Sequence, residues 1–179
     1  MKKCFFLILL AAFTLANAAA QQAAAEVSFS FTRQSGFASN QYAIWIEDAL
    51  GNYVRTLYAT RWTANGGWRR RPTSIPVWVT RSALSEKTSA EIDAVSGPTP
   101  ATGRLTYTWD GTNSQGLIMP PGDYVLFLEG TLRWENQVLY RAPIRIGYGA
   151  AEAQVYFQFT GNSMAERMMI AGVTVRALR

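Results

Sequence analysis

The sequence predicts an all-β fold, an antiparallel β-sandwich interrupted by one long irregular excursion that contains a short helix. Three observations carry this expectation. Thr108–Gly116 reads as a strand that ends in Trp109-Asp110-Gly111 and runs into a polar turn. Pro120-Pro121-Gly122-Asp123-Tyr124 reads as a corner, followed by the half-buried strand Val125-Leu126-Phe127-Leu128. Segments rich in β-branched and aromatic residues recur along the chain, about eight of them, as in an immunoglobulin-like sandwich.

Residues 1–20 read as a secretory signal peptide rather than as part of the fold. Lys2 and Lys3 precede the apolar run Phe5–Leu15, which is short for a bilayer span, and Ala16-Asn17-Ala18 and Ala18-Ala19-Ala20 each offer a small-x-small cleavage site. Cys4 stands before the apolar run, not at its end where a lipid-anchored precursor would carry it. Residues 21–26 read as a flexible mature N-terminus and 27–179 as a single domain. No later apolar segment reaches membrane-span length, so the mature chain is expected to carry no transmembrane segment.

The strands follow in order. Val27–Thr32 alternates strictly, with Val27, Phe29 and Phe31 on one face and hydroxyls on the other. Tyr42–Glu47 and Tyr53–Tyr58 flank Asp48-Ala49-Leu50-Gly51-Asn52, the pattern of a hairpin with a longer loop. Leu105–Trp109, Tyr124–Trp134, Val138–Ile146, Ala153–Thr160 and Ile170–Ala177 complete the set, with Glu135-Asn136-Gln137 as a turn. Between the two groups, residues 60–102 are punctuated by Gly66-Gly67, Pro72, Pro76, Gly97, Pro98 and Pro100, and their one helix-like run is Val77–Lys87. An excursion of this length is uncommon unless it carries function, so a site is expected there.

Composition removes several chemistries. The chain has no histidine and one cysteine, Cys4, which leaves with the signal peptide. Ser-His-Asp and Cys-His catalysis, thiolate ligands and disulfides are therefore excluded from the mature protein, which reads as non-catalytic. Loss of Lys2 and Lys3 lowers the net charge from +5 to +3. Arg69, Arg70 and Arg71 form the one dense basic cluster, beside Trp68, and read either as a patch for an acidic partner or as a solvated loop. An exported chain of so small a charge is not expected to bind nucleic acid.

Other groupings are weaker. Asp110, Asn113 and Ser114 resemble a calcium loop, but the spacing misses the EF-hand and no later acid closes a cage, so no metal site is expected. Glu47 with Asp48, and Glu91 with Asp93, are the nearest carboxylate pairs, and nothing sets them across a cleft. Trp45 and Trp109 lie in expected strands and read as core, whereas Trp62, Trp68 and Trp78 lie in the excursion and read as a binding surface. Met164, Met168 and Met169 read as core or hinge residues.

The combination of Ala43–Asp48, Tyr53–Tyr58, Ile75-Pro76-Val77-Trp78, Asp93–Pro100 and Thr108–Gly111 resembles a bacterial family of predicted periplasmic proteins classed as domain of unknown function 2271. The stretch Trp109–Leu128 also resembles the immunoglobulin-like domain of flagellar hook-capping proteins, a likeness of architecture rather than of function. The first resemblance implies a periplasmic location and membership of membrane-associated redox systems that include flavin transferases. It also gives Asp93–Thr99 a meaning, since Asp93, Ser96, Gly97 and Thr99 match the acceptor motif in which a threonine hydroxyl takes up FMN through a phosphoester. Pro98 stands where that motif has alanine. The bland alternative is a turn in which Asp93 and Ser96 satisfy backbone amides.

The preferred expectation is a non-catalytic periplasmic accessory or docking subunit of a membrane-associated flavin-linked redox system. It has no resident cofactor and uses Trp62, Trp68, Arg69, Arg70, Arg71 and Trp78 as its partner surface, the partner being a membrane redox protein or a flavin transferase. A covalent FMN carrier modified at Thr99 and an envelope structural or glycan-binding module are the alternatives.

Overall fold

The computed structural model describes residues 23–35, 39–133, 136–162 and 167–179. Among these residues the strands are β1 (Ala25–Phe31), β2 (Gln41–Asp48), β3 (Tyr53–Thr60), β4 (Ser96–Gly97), β5 (Gly103–Trp109), β6 (Gly122–Arg133), β7 (Asn136–Ile146), β8 (Ala151–Glu152), β9 (Tyr156–Thr160) and β10 (Ile170–Ala177). They form a four-stranded sheet, β5-β1-β10-β8, and a six-stranded sheet, β4-β3-β2-β6-β7-β9. Every pairing is antiparallel except that of β3 with β4. The all-β sandwich read from the sequence is the architecture of the protein.

The facing sides of the two sheets make the main core. Val27, Phe29 and Phe31 of β1 meet Tyr42, Ile44 and Ile46 of β2 and the inward residues of β6 and β7, all of them buried. Alternation produces this directly, because side chains two apart share a face. The two motifs that announced the fold pack on each other: Trp109 and Tyr124 meet edge to face at 5.0 Å, Trp109 Nε1 donates to the Thr112 carbonyl (2.8 Å), and the Tyr124 hydroxyl donates to the Pro120 carbonyl (2.6 Å).

The excursion departs from expectation. It lies on the outer face of the six-stranded sheet and closes a second, smaller core in which Ala43 and Trp45 of β2 pack with Ala59, Ala64, Ile75, Trp78 and Leu84. Strand β2 is therefore buried on both faces, which is why Tyr42–Ile46 reads as a continuous apolar run rather than an alternation. The run expected as one helix, Val77–Lys87, is broken. Helix α2 spans Pro76–Arg81, Ala83 takes a left-handed conformation (φ 49°), and a short 3₁₀ turn follows at Leu84–Glu86. Further elements were not anticipated, among them a three-residue turn of helix, α1 (Trp68–Arg70), and α3 (Ser89–Val95). Helix α3 starts on a capping box: Glu91 N–H donates to Thr88 Oγ1, and Thr88 N–H donates to Glu91 Oε2 (2.9 Å).

Three boundaries also differ. Ala24 and Ala25, assigned above to a flexible 21–26 stretch, are fully buried; their small side chains fit beside Trp109, and β1 starts at Ala25. Ala153–Thr160 is not one strand, because β8 belongs to the four-stranded sheet and β9 to the six-stranded one, and Ala153–Val155 carry the chain across. Asn136 and Gln137 already pair within β7, while Trp134, Glu135 and Met164 lie outside the described residues.

Candidate functional site

The excursion is anchored through buried polar side chains that the sheet sends outward. Gln41 Oε1 accepts from Thr60 Oγ1 (2.6 Å) and Thr63 Oγ1 (2.9 Å), which fixes where the chain leaves β3. Thr131 Oγ1 accepts from Ile75 N–H (2.7 Å), and Glu129 accepts from the backbone N–H groups of Val77 (3.1 Å) and Trp78 (2.7 Å). Burial pushes the Glu129 carboxyl up to about 7, against the pull of those two N–H donors. Trp45 stacks on Phe127 at 5.0 Å and donates Nε1 to Glu47 Oε1 (2.9 Å), and Arg81 covers Glu47 at 3.7 Å.

This scaffold divides the tryptophans assigned to a partner surface. Trp78 is 1% exposed and donates Nε1 to Thr56 Oγ1 (2.8 Å), so it belongs to the second core and not to any surface. The correction has a simple cause. Pro76 opens α2 against β6, and the helix turns Trp78 inward onto the sheet. Trp62 is 45% exposed, and its ring and carbonyl press on Gly67, where an added Cβ would stand 2.3 Å from the carbonyl oxygen. Trp68 is half-buried with the Arg69 guanidinium over its ring at 4.9 Å, Arg69 and Arg70 are exposed, and Arg71 is partly buried.

Trp68 and Arg69 form one wall of a cavity of about 480 Å³, whose other walls include Ala64, Leu84, Lys87 and Asp93. The structure thus joins two groups that the sequence kept apart: the Trp-Arg cluster and the acid Asp93 face one space, with a second cation, Lys87, at its edge. Lys87 also lies 5.2 Å over the Tyr53 ring and borders a neighbouring cavity of about 330 Å³ on the other side of α3, with Arg55 and Glu91. Lys87, Leu84 and Ile92 were missed as lining residues. The capping box Thr88–Glu91, legible in the sequence, was a signal for Ile92 on a short helix, whereas Leu84, on the preceding 3₁₀ turn, and Lys87, between the two, carried no such signal.

The remaining members of the proposed flavin motif go elsewhere. Asp93 is inside α3, whereas Ser96 and Gly97 form β4 and pair in parallel with Ala59 and Thr60. Gly97 packs under the Tyr58 ring so closely that a Cβ would stand 2.8 Å from it, and the Tyr58 hydroxyl donates to the Pro98 carbonyl. Burial and the neighbouring Tyr107 push the Tyr58 phenol up to about 12, so it stays a donor. Thr99 follows, half-buried, and does not line the Trp68 cavity. Strand β3 and the Tyr58 ring hold Ser96 and Gly97, whereas Thr99 lies past that strand end in irregular chain.

The acidic groupings have structural duties as well. Asp48 Oδ1 accepts from Leu50 and Asn52 N–H (both 2.9 Å), Asp110 Oδ1 from Thr112 N–H (2.9 Å), and Asn113 Oδ1 from Gln115 and Leu117 N–H (2.9 and 3.0 Å). These are turns in which the side chain replaces a backbone acceptor. Arg55 further ties down Asp110 (3.3 Å) and Thr112.

No curated protein and no solved structure matches this chain. The family described as predicted periplasmic protein (DUF2271) matches residues 22–163, which covers the sandwich through β9 and the whole excursion. The chain belongs to that family, the predicted periplasmic proteins of DUF2271.

Proposed function

We propose that the protein is a non-catalytic periplasmic docking subunit of a membrane-associated, flavin-linked redox system, and that it engages its partner through the Trp62–Arg70 face of the excursion. The observation that carries the reading is the cavity of about 480 Å³ beside the stacked Trp68–Arg69 pair. A half-open space with an aromatic wall, two cations and one acid, Asp93, suits a polar, aromatic-bearing peptide segment better than a small molecule, which prefers a deeper apolar pocket. The excursion is also held rigidly by Gln41, Glu129 and Thr131, so the surface is preformed and little ordering entropy is lost on binding.

The test is a photo-crosslinking amino acid in place of Trp62, introduced in the native cell. The expected product is a covalent adduct to an integral-membrane protein of the redox system, lost when Arg69 and Arg70 are both replaced by alanine. No adduct, or an adduct that survives Arg69→Ala/Arg70→Ala, overturns the reading.

A further inference from the structure

We propose that Tyr58 and Tyr107 are an oxidative coupling site, where a one-electron oxidant joins the two phenol rings by a carbon–carbon bond and so ties the two sheets together at the base of the excursion. Among the described residues, the tyrosines whose rings meet one another are Tyr42, Tyr58 and Tyr107, with centroids 5.0 Å apart for Tyr58–Tyr107, 5.3 Å for Tyr42–Tyr58 and 6.4 Å for Tyr42–Tyr107. Strand register brings them together. Tyr58 of β3 lies opposite Ile44, which shares the inward face of β2 with Tyr42, and Tyr107 of β5 lies opposite Val27, an inward residue of β1. The hydroxyls converge as well: those of Tyr42 and Tyr107 share a hydrogen bond of 2.5 Å, and the Tyr42 hydroxyl also acts on that of Tyr58. The carbons at which phenols couple flank the oxygen, so hydroxyls that meet bring those carbons together.

Position selects the pair. Tyr42 is fully buried and wedged between Phe29 (5.6 Å) and Phe31 (5.4 Å), on a strand paired along both edges. Tyr58 and Tyr107 are partly exposed and stand at the open side of the sandwich, where β5 ends its sheet and β4 pairs with β3 only at Ala59 and Thr60. An oxidant reaches these two rings, and they have the room to close on each other. Burial raises all three phenols, so each is neutral, and its electron and proton leave together. Each of the two coupling phenols gives up one electron and its hydroxyl proton, and the radicals join through a carbon ortho to oxygen. The hydrogens on those carbons then move to the oxygens and restore the phenols. In all, two electrons and two protons reduce one hydrogen peroxide to two waters when a haem peroxidase drives the step. Tyr58 stands just before the excursion and Tyr107 just after it, on different sheets, so the bond closes the loop that contains the whole excursion. With no cysteine after Cys4, the chain has no disulfide to do this.

The inference stands apart from the docking reading, because neither ring lines the Trp68 cavity and coupling is read without a partner. Its test treats dilute protein recovered from the periplasm after export with hydrogen peroxide and a haem peroxidase. The expected product is a monomer lighter by two hydrogens, with blue dityrosine emission and a joined pair of peptides that carry Tyr58 and Tyr107. Its Tm is expected to rise by about 10 °C, as for a cross-link that closes a long loop. Tyr58→Phe and Tyr107→Phe are each expected to lose the product while keeping the circular dichroism spectrum of the wild type, and Tyr42→Phe to keep both. A monomer of unchanged mass, coupling only between molecules through the exposed Tyr148 or Tyr156, a joined peptide that carries Tyr42, product that survives in Tyr58→Phe, or an unchanged Tm each overturn the proposal.

Discussion

Glu129 meets Trp78 where the excursion is tied to the sheet: the carboxylate on the outer face of β6 accepts the Trp78 N–H at 2.7 Å, at the first turn of α2. One oxygen serves Trp78 and the other serves Val77, so a buried acid replaces the acceptors that a helix start lacks. The pair decides where the second core closes.

Because burial raises the folded-state value of Glu129 to about 7 from an ordinary 4.5, the folded protein binds this proton more tightly than the unfolded chain. Its contribution is therefore full below the unfolded value and is lost as pH rises through about 7, a difference of about 3 kcal/mol at most. Thermal melts are expected to show a lower Tm at pH 8 than at pH 5, with the slope flattened in Glu129→Gln. A Tm from this group that rises over the same interval would contradict the assignment.

Trp109 fills the sandwich core at 1% exposure against Tyr124. Trp109→Ala is expected to cost about 3 to 5 kcal/mol, read from urea denaturation. Tyr124→Phe removes only the bond to the Pro120 carbonyl and is expected to cost about 1 kcal/mol.

The tryptophans of the excursion are expected to separate by assay. Trp78→Ala should cost about 3 to 5 kcal/mol, since it empties the second core and leaves Thr56 Oγ1 without its indole donor. Arg69→Ala/Arg70→Ala should change stability by no more than about 0.5 kcal/mol yet abolish partner crosslinking at position 62. Equal effects of the two variants on stability would mean that the excursion packs differently.

Mature protein isolated from a periplasm with an active flavin transferase is expected to be colourless and of unmodified mass. An FMN adduct lost in Thr99→Ala would make the protein an electron carrier and displace the docking reading. Gly97→Ala, which pushes a methyl into the Tyr58 ring, is expected to lower Tm by several degrees, the shift that follows from about 1 to 3 kcal/mol of overpacking.

The strands of the sandwich were legible because their information is local. Alternation in Val27–Phe31, the Trp109-Asp110-Gly111 turn and the Pro120–Tyr124 corner each define a backbone state within a few residues, and a sheet face follows from a period of two. The leader-like N-terminus and the exclusion of histidine and cysteine chemistry are likewise properties of the residues alone. Helix α3 was legible in principle through Thr88 and Glu91.

What only the tertiary structure decided is where the excursion goes. Trp62, Trp68 and Trp78 are alike by composition and neighbourhood, and what separates them is the outer face of a sheet whose Glu129, Thr131 and Gln41 come from positions remote in sequence. Burial of a side chain depends on what the rest of the chain sets against it, and hydrogen bonds between residues some twenty to sixty positions apart leave no periodicity to read. For the same reason the meeting of Trp68, Arg69, Lys87 and Asp93 around one cavity belongs to the fold and not to any segment of the sequence.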